Sequence, residues 1–114
     1  MLSIEELQVY GADTVVGLQR CVNNAALYLR LVKTIPSNAG FQKLYDAIKA
    51  GDLEAGFQAA HGLKGACANL ALDPLTRPIS EATELLRAKK IGDYASLTKE
   101  IEDARSALEA ICKD

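Results

Sequence analysis

The sequence predicts an all-α fold, an antiparallel up-down four-helix bundle with additional short N-terminal helices. Apolar residues recur at helical spacing along the whole chain. No stretch alternates apolar and polar residues with the β-branched or aromatic enrichment of a strand. The predicted connections are short, roughly two to four residues, which favours antiparallel neighbours.

Capping side chains mark where the helices begin. Ser, Asp and Asn accept hydrogen bonds from the free N–H groups of a first helical turn. They precede the predicted helices at Ser3, Asp13, Asn23 or Asn24, Ser37 or Asn38, Asp52, Asp73 and Asp93. Residues that end helices lie between them, at Gly11, Pro36, Gly51 and Gly92.

These positions predict short helices within residues 3–35 and four longer ones within residues 38–113. The third short helix runs through Ile35. The second and third long helices extend to about Leu72 and about Lys90, with Pro78 as an alternative start of the latter. No repeat, low-complexity tract or linker divides the sequence, so residues 1–114 are predicted to form one domain.

Length and composition exclude several functional classes. A chain of 114 residues, 49% hydrophobic, is too short for a multidomain enzyme and too apolar for general disorder. The formal net charge is -2 without a Lys/Arg block, so no nucleic-acid partner is expected. No apolar run approaches the ~18–20 residues that span a bilayer, and the N-terminus does not resemble a secretory signal. We expect a cytoplasmic monomer without membrane contact.

Metal and cofactor chemistry are not expected either. Cys21, Cys67 and Cys112 are widely spaced without a C-x-x-C pair, which is typical of reduced, buried thiols. The chain has one histidine, too few for a zinc site of usual ligands. No glycine-rich nucleotide loop is evident.

The single histidine, His61, is predicted to face solvent. Stepping about 100° per residue along the helix from Leu53 to Leu72 places His61 roughly 130° from the middle of the apolar arc. That arc contains Leu53, Gly56, Phe57, Ala60, Leu63, Cys67 and Leu70. Lys64 lies at its boundary, one turn beyond His61, and Gly65 lies on the wet side.

Two glycines near His61 are unusual inside a helix. Gly62 and Gly65 each cost about 1 kcal/mol relative to alanine. With the alanines that follow, they leave the helix surface low, so that a partner could lie close to the imidazole. We predict His61 as a phosphoacceptor, because a neutral imidazole is a nitrogen nucleophile. Lys64 would support the phosphoryl oxygens and Gly65 would give steric access.

At these residues the sequence resembles the histidine-containing phosphotransfer (HPt) domain family. The similarity includes Ala60-His61, Leu63-Lys64-Gly65 and Asn69-Leu70, and N-terminal segments extend it along the chain. The resemblance implies a four-helix bundle phosphorylated on the Nε2 nitrogen of His61. Many members carry glycine where Ala71 stands, a change expected to be mild. Many also carry a glutamine on the next helix, where this chain has Glu81, Thr83 and Glu84.

The resemblance also implies the partners. These are a response-regulator receiver domain, a sensor histidine kinase, or both, with Mg²⁺ bound only by the receiver domain. We expect the docking face to include Glu54, Phe57, Gln58, Gly65 and Ala68, with a contribution from the preceding helix.

Three alternatives remain. A lone exposed histidine near a lysine is often only a solvated helix face. A bundle could also bind receiver domains without carrying phosphate. An enzyme that uses His61 as a general base is the third, but no Ser or Cys lies three or four residues away and no paired carboxylate is present.

Overall fold

Residues 1–113, described by the computed structural model, contain seven α-helices and no strand. They are α1 (Ile4–Tyr10), α2 (Thr14–Arg20), α3 (Ala25–Val32), α4 (Gly40–Ala50), α5 (Leu53–Asn69), α6 (Asp73–Arg87) and α7 (Tyr94–Cys112). The all-α prediction is confirmed. No helix in this range is long and apolar enough to cross a membrane.

Capping side chains begin most helices where the sequence predicts. The side chains of Ser3, Asp13, Asn24, Asp52 and Asp93 each accept a hydrogen bond from a first-turn N–H. Asp73 is the exception, because it is the first residue of α6 rather than its cap. The helix then continues through Pro78, so the alternative start there is wrong.

Two predicted boundaries around Pro36 are wrong by two or three residues. The helix α3 ends at Val32, because the N–H groups of Thr34 and Ile35 bond three residues back and form tighter turns. The helix α4 begins at Gly40, whose N–H donates to the Oδ1 atom of Asn38 at 2.7 Å. The side chain of Asn38 therefore organises the loop before the helix.

The helices α5 and α6 end three residues earlier than predicted, each next to a residue in the left-handed conformation. Ala71 has a φ of 56°, and the N–H of Leu72 returns to the carbonyl of Cys67 at 3.0 Å. Lys89 has a φ of 53°, and the N–H of Lys90 returns to Leu85 at 3.0 Å. Both are Schellman-type ends, which glycine usually occupies.

The left-handed conformation of Ala71 has an energetic cost that glycine would not have at this position. An L-residue with a Cβ atom costs roughly 1 kcal/mol or more in this conformation, whereas glycine does not. The change from glycine to alanine at position 71, which the sequence predicts to be mild, thus has a backbone cost, and the surrounding contacts offset it.

The long helices pack in chain order, with α5 between α4 and α6, and α6 against α7. The predicted apolar stripes face inward, and the most completely buried side chains include Leu44, Leu63, Leu75, Ile79, Leu86, Ile101 and Leu108. The helix α1 packs against α2 and α7, and α2 against α3. The arrangement positions α5 with one face in the core and the other in solvent.

Candidate functional site

The helix α5 presents His61 to solvent, as the helical periodicity predicts. Its buried residues are Gly56, Ala60, Leu63 and Cys67, which form the core face of the helix. Phe57, from the predicted apolar arc, is only half-buried because it lies at the edge between core and solvent. The site therefore begins at the boundary of the core and extends outward.

The imidazole of His61 lies on the ring of Phe57, one turn earlier. The ring centroids are 5.6 Å apart and the planes differ by 20°, which is a stacked arrangement. Side chains on a helix point back toward its N-terminus, so residues four apart meet in this way. No hydrogen bond or ion pair holds the His61 side chain among residues 1–113. The stack on Phe57 is therefore the specific contact that its ring makes.

Arg87 reaches the site from α6, and no sequence pattern predicts it there. Its Cζ atom lies 5.5 Å from the centroid of the Phe57 ring, within the range of a cation–π contact. The same guanidinium pairs with Glu84 at 3.3 Å. Only the register between α5 and α6 brings Arg87 to Phe57, and that register is not readable from one sequence.

Lys64 is a cation without a partner inside the described part of the chain. It is half-buried one turn beyond His61, and its ammonium makes no hydrogen bond or ion pair there. Because a lysine ammonium has three donors, Lys64 keeps its capacity to bind an anion from outside.

The glycines beside His61 have no packing role among residues 1–113. A Cβ atom added at Gly62 or at Gly65 would meet no heavy atom within 4 Å. At Gly56, on the core face of the same helix, the added atom would lie 3.2 Å from a methyl of Leu86. Packing therefore explains the glycine in the core and leaves the two exposed glycines unexplained.

The predicted docking residues lie on and beside the exposed face. Glu54 and Gln58 are exposed and joined by a hydrogen bond of 3.2 Å, and Ala68 is half-buried near the other end of the helix. An open groove of about 800 Å³ runs along the surface between α4 and α5, and Gln58 and Gly62 are among the residues that line it. The structure brings these residues to one side of α5.

Two nearby side chains are withdrawn from the site. Thr83 is buried in α6 and its hydroxyl donates to the carbonyl of Ile79 at 2.7 Å, so it does not reach His61. Burial raises the pKa of the Cys67 thiol to about 12, which keeps it protonated at neutral pH. Cys67 is therefore not a competing nucleophile.

The N-terminal helices bind the end of α5. The Tyr28 hydroxyl donates to the carbonyl of Leu70 at 2.8 Å, and the N–H of Asp13 donates to Ala71 at 3.0 Å. Arg20 donates to the carbonyl of Ala68. Residues that precede the long helices thus donate to three carbonyls at this helix end, and the Ala68 carbonyl also accepts from the N–H of Ala71.

Within residues 1–113, the exposed imidazole of His61 thus has an unpaired lysine and an open glycine within one turn of the helix. No group of three or more candidate ligands that could hold a metal occurs in residues 1–113.

Comparison with known families identifies the class of domain. A family model described as Hpt domain matches residues 37–111, well over half of the chain, and the chain therefore belongs to that family. Hpt domains carry phosphoryl groups in phosphorelay signalling. The helices α1 to α3 precede the matched range. Comparisons with curated proteins and with solved structures give no match.

Proposed function

We propose that this chain is a phosphocarrier that accepts a phosphoryl group on His61 and passes it to, or receives it from, an aspartate of a receiver domain. One observation carries the proposal. His61 is exposed on α5, which lies within the residues that match the family, and among residues 1–113 its surroundings hold an unpaired cation and unfilled space rather than a packed core.

The transfer forms one bond and breaks one. The lone pair of an imidazole nitrogen, Nε2 by resemblance to the family, attacks phosphorus of the partner's aspartyl phosphate. The P–N bond forms, the P–O bond to the aspartyl group breaks, and the carboxylate leaves with the electron pair. The reverse reaction returns the phosphoryl group to a receiver aspartate. A sensor histidine kinase is the other candidate donor.

Lys64 and Gly65 have separate roles in the proposal. About two negative charges arrive on the helix surface with the phosphoryl group, and the unpaired ammonium of Lys64 is one turn away to offset them. The space outside Gly65 would admit the phosphoryl oxygens and the partner's backbone, since an added Cβ atom there meets no heavy atom of the described residues within 4 Å.

The partner supplies what this chain lacks. Mg²⁺ and the acidic residues of a receiver domain would provide most of the catalysis, and this chain would provide the nucleophile and a docking face. We propose that this face comprises Glu54, Phe57, Gln58, Gly65 and Ala68, with a contribution from α4. We further propose a cytoplasmic monomer, one domain whose four long helices form an up-down antiparallel bundle, with no enzymatic activity or cofactor of its own.

The decisive experiment is chemical phosphorylation followed by transfer. Phosphoramidate should label the wild-type chain with an acid-labile, base-stable phosphate visible by ³¹P NMR, and His61→Gln should remain unlabelled. The labelled chain should then phosphorylate a receiver domain from the same genome in the presence of Mg²⁺.

A matched pair of lysine variants tests the support of the phosphoryl group. Lys64→Gln should slow transfer to the receiver about tenfold, whereas Lys99→Gln on α7 should leave it unchanged. If His61→Gln gains as much phosphate label as the wild type, His61 is not the phosphoacceptor. Receiver domains that bind wild type and His61→Ala equally, and never gain phosphate from the wild type, would establish an interaction module instead.

A further inference from the structure

We propose that Phe57 is a positioning residue that holds the His61 imidazole in one orientation for transfer between proteins. This inference rests on the proposed function and adds a residue to it. The observation behind it is the stack of the two rings, 5.6 Å between centroids and 20° between planes.

The stack restricts a side chain that would otherwise rotate freely. His61 is exposed, and among residues 1–113 no hydrogen bond or ion pair fixes its ring. Aromatic rings 4.5–7 Å apart attract each other in offset-stacked geometry, and Phe57 lies on the side toward which a helical side chain points. The contact therefore restricts the plane of the His61 ring and, with it, the plane in which the lone pair of the reacting nitrogen lies.

Phe57 can act as a platform because it is itself held. Its ring is half-buried at the edge of the core, and the guanidinium of Arg87 lies 5.5 Å from its centroid. Arg87 is anchored in turn by Glu84 at 3.3 Å. The orientation of the imidazole on α5 is thus connected to α6 through an ion pair, a cation–π contact and a ring stack.

Orientation matters only when the other reactant is also fixed. In transfer from a docked receiver, the nitrogen, the phosphorus and the leaving oxygen must lie in line, and an imidazole already aimed at the partner avoids an ordering cost. Phosphoramidate is small and can reach the lone pair of the nitrogen in whichever orientation the imidazole adopts. A positioning residue should therefore affect transfer between proteins and leave labelling by phosphoramidate unchanged.

Two substitutions separate positioning from packing. Phe57→Leu keeps an apolar side chain of good helix propensity but removes the ring, and Phe57→Tyr keeps the ring. At saturating concentrations of the receiver domain that accepts phosphate from the wild type, Phe57→Leu should slow transfer about three- to tenfold. Phe57→Tyr should transfer faster than Phe57→Leu because it keeps the ring, and the loss in Phe57→Leu should appear in transfer to the receiver domain without an equal loss of phosphoramidate labelling.

A spectroscopic measurement makes the result independent of the partner. The ring current of Phe57 should shift the His61 ring-proton resonances in NMR spectra of the wild type and of Phe57→Tyr, and Phe57→Leu should abolish the shift.

Each other outcome overturns the proposal. Equal transfer rates for Phe57→Leu and wild type would exclude positioning. A change confined to the receiver concentration needed for half-saturation would make Phe57 a docking contact only. An equal loss of phosphoramidate labelling in Phe57→Leu would show that the substitution changes the reactivity of the imidazole or the fold rather than the orientation of the ring toward a partner. Failure of the wild type itself to accept phosphate would instead refute the proposed function, while the NMR shift would still report on the stack.

Discussion

Two polar regions of this molecule have opposite designs, one around Arg105 on α7 and one around His61 on α5. The Arg105 side chain is 19% exposed and donates to Glu102 at 2.7 Å, to the Pro36 carbonyl at 3.1 Å and to Glu109 at 3.4 Å. The Tyr45 hydroxyl donates to the same Glu102 carboxylate at 2.8 Å. These contacts join α7 to α4 and to the loop before it.

The region around His61 leaves its polar groups available. Neither His61 nor Lys64 has a hydrogen-bond or ion-pair partner in residues 1–113, and Gly62 and Gly65 leave space unfilled. Polar groups that have hydrogen-bond partners within this fold stabilise the packing of helices, whereas polar groups without such partners on the surface remain free to bind another protein. Substitutions should therefore separate stability from transfer.

The largest effect on stability is expected from Arg105→Ala. The substitution leaves the Pro36 carbonyl without its donor and the partly buried Glu102 carboxylate with only the Tyr45 hydroxyl, which should lower the free energy of unfolding by about 1–3 kcal/mol. Urea denaturation measures it. Arg77→Ala, at an exposed position of α6, should change stability by less than about 0.5 kcal/mol. Transfer by folded Arg105→Ala should equal wild type, and a matching loss of transfer would contradict the separation.

A smaller effect of opposite sign is expected at the exposed glycines. Gly62→Ala and Gly65→Ala should each raise the free energy of unfolding by about 0.5–1 kcal/mol, because alanine favours the helix and the added methyl group meets no atom. Thermal and urea denaturation measure the gain. Gly65→Ala should at the same time slow transfer to a receiver domain.

The matched control for these glycines is Gly56→Ala. Its added methyl group would lie 3.2 Å from Leu86, so it should not show the same gain. Destabilisation by Gly65→Ala would show that the exposed glycines have a structural role in the isolated chain.

The smallest expected effect is a pH dependence from Glu102. Its hydrogen bond with Arg105 holds the pKa of the Glu102 carboxyl below its usual range, with a further contribution from Tyr45. A lowered folded-state pKa stabilises the fold above the unfolded-state pKa, and the contribution is lost as the pH falls through the folded-state value.

Denaturation at several pH values tests this dependence. The stability difference between wild type and Glu102→Gln should shrink by about 0.2–0.5 kcal/mol between about pH 7 and about pH 3, a small change because Glu102 is partly exposed. In an Arg105→Ala background the same substitution should show a smaller dependence, because only the Tyr45 hydrogen bond remains, and an undiminished dependence there would assign it to another group.

Local sequence patterns predicted much of the fold. The capping side chains at Ser3, Asp13, Asp52 and Asp93 act within a few residues of themselves, so the sequence carries the information that sets these helix starts. Helix ends were less predictable. Ala71 and Lys89 adopt the left-handed conformation without being glycine, and nothing in their residue types indicates it.

The candidate site shows the same division. The helical period alone was enough to place His61 in solvent and Lys64 one turn beyond it, and spacing singled out Gly65. Arg87 was missed because its contact with Phe57 depends on how α6 lies against α5. Arg20 and Tyr28 were missed as partners of α5 because they lie more than forty residues away in sequence, 48 for Arg20 with Ala68 and 42 for Tyr28 with Leu70.

The sequence by itself determined the helical class, most helix starts and the exposure of the single histidine, because each follows from residues within one or two helical turns. Only the tertiary structure decided that Arg87 of α6 reaches the Phe57 ring beside that histidine, and which side chains hold the end of its helix. These contacts join residues from different helices, and their distances are set by the packing of the core between them.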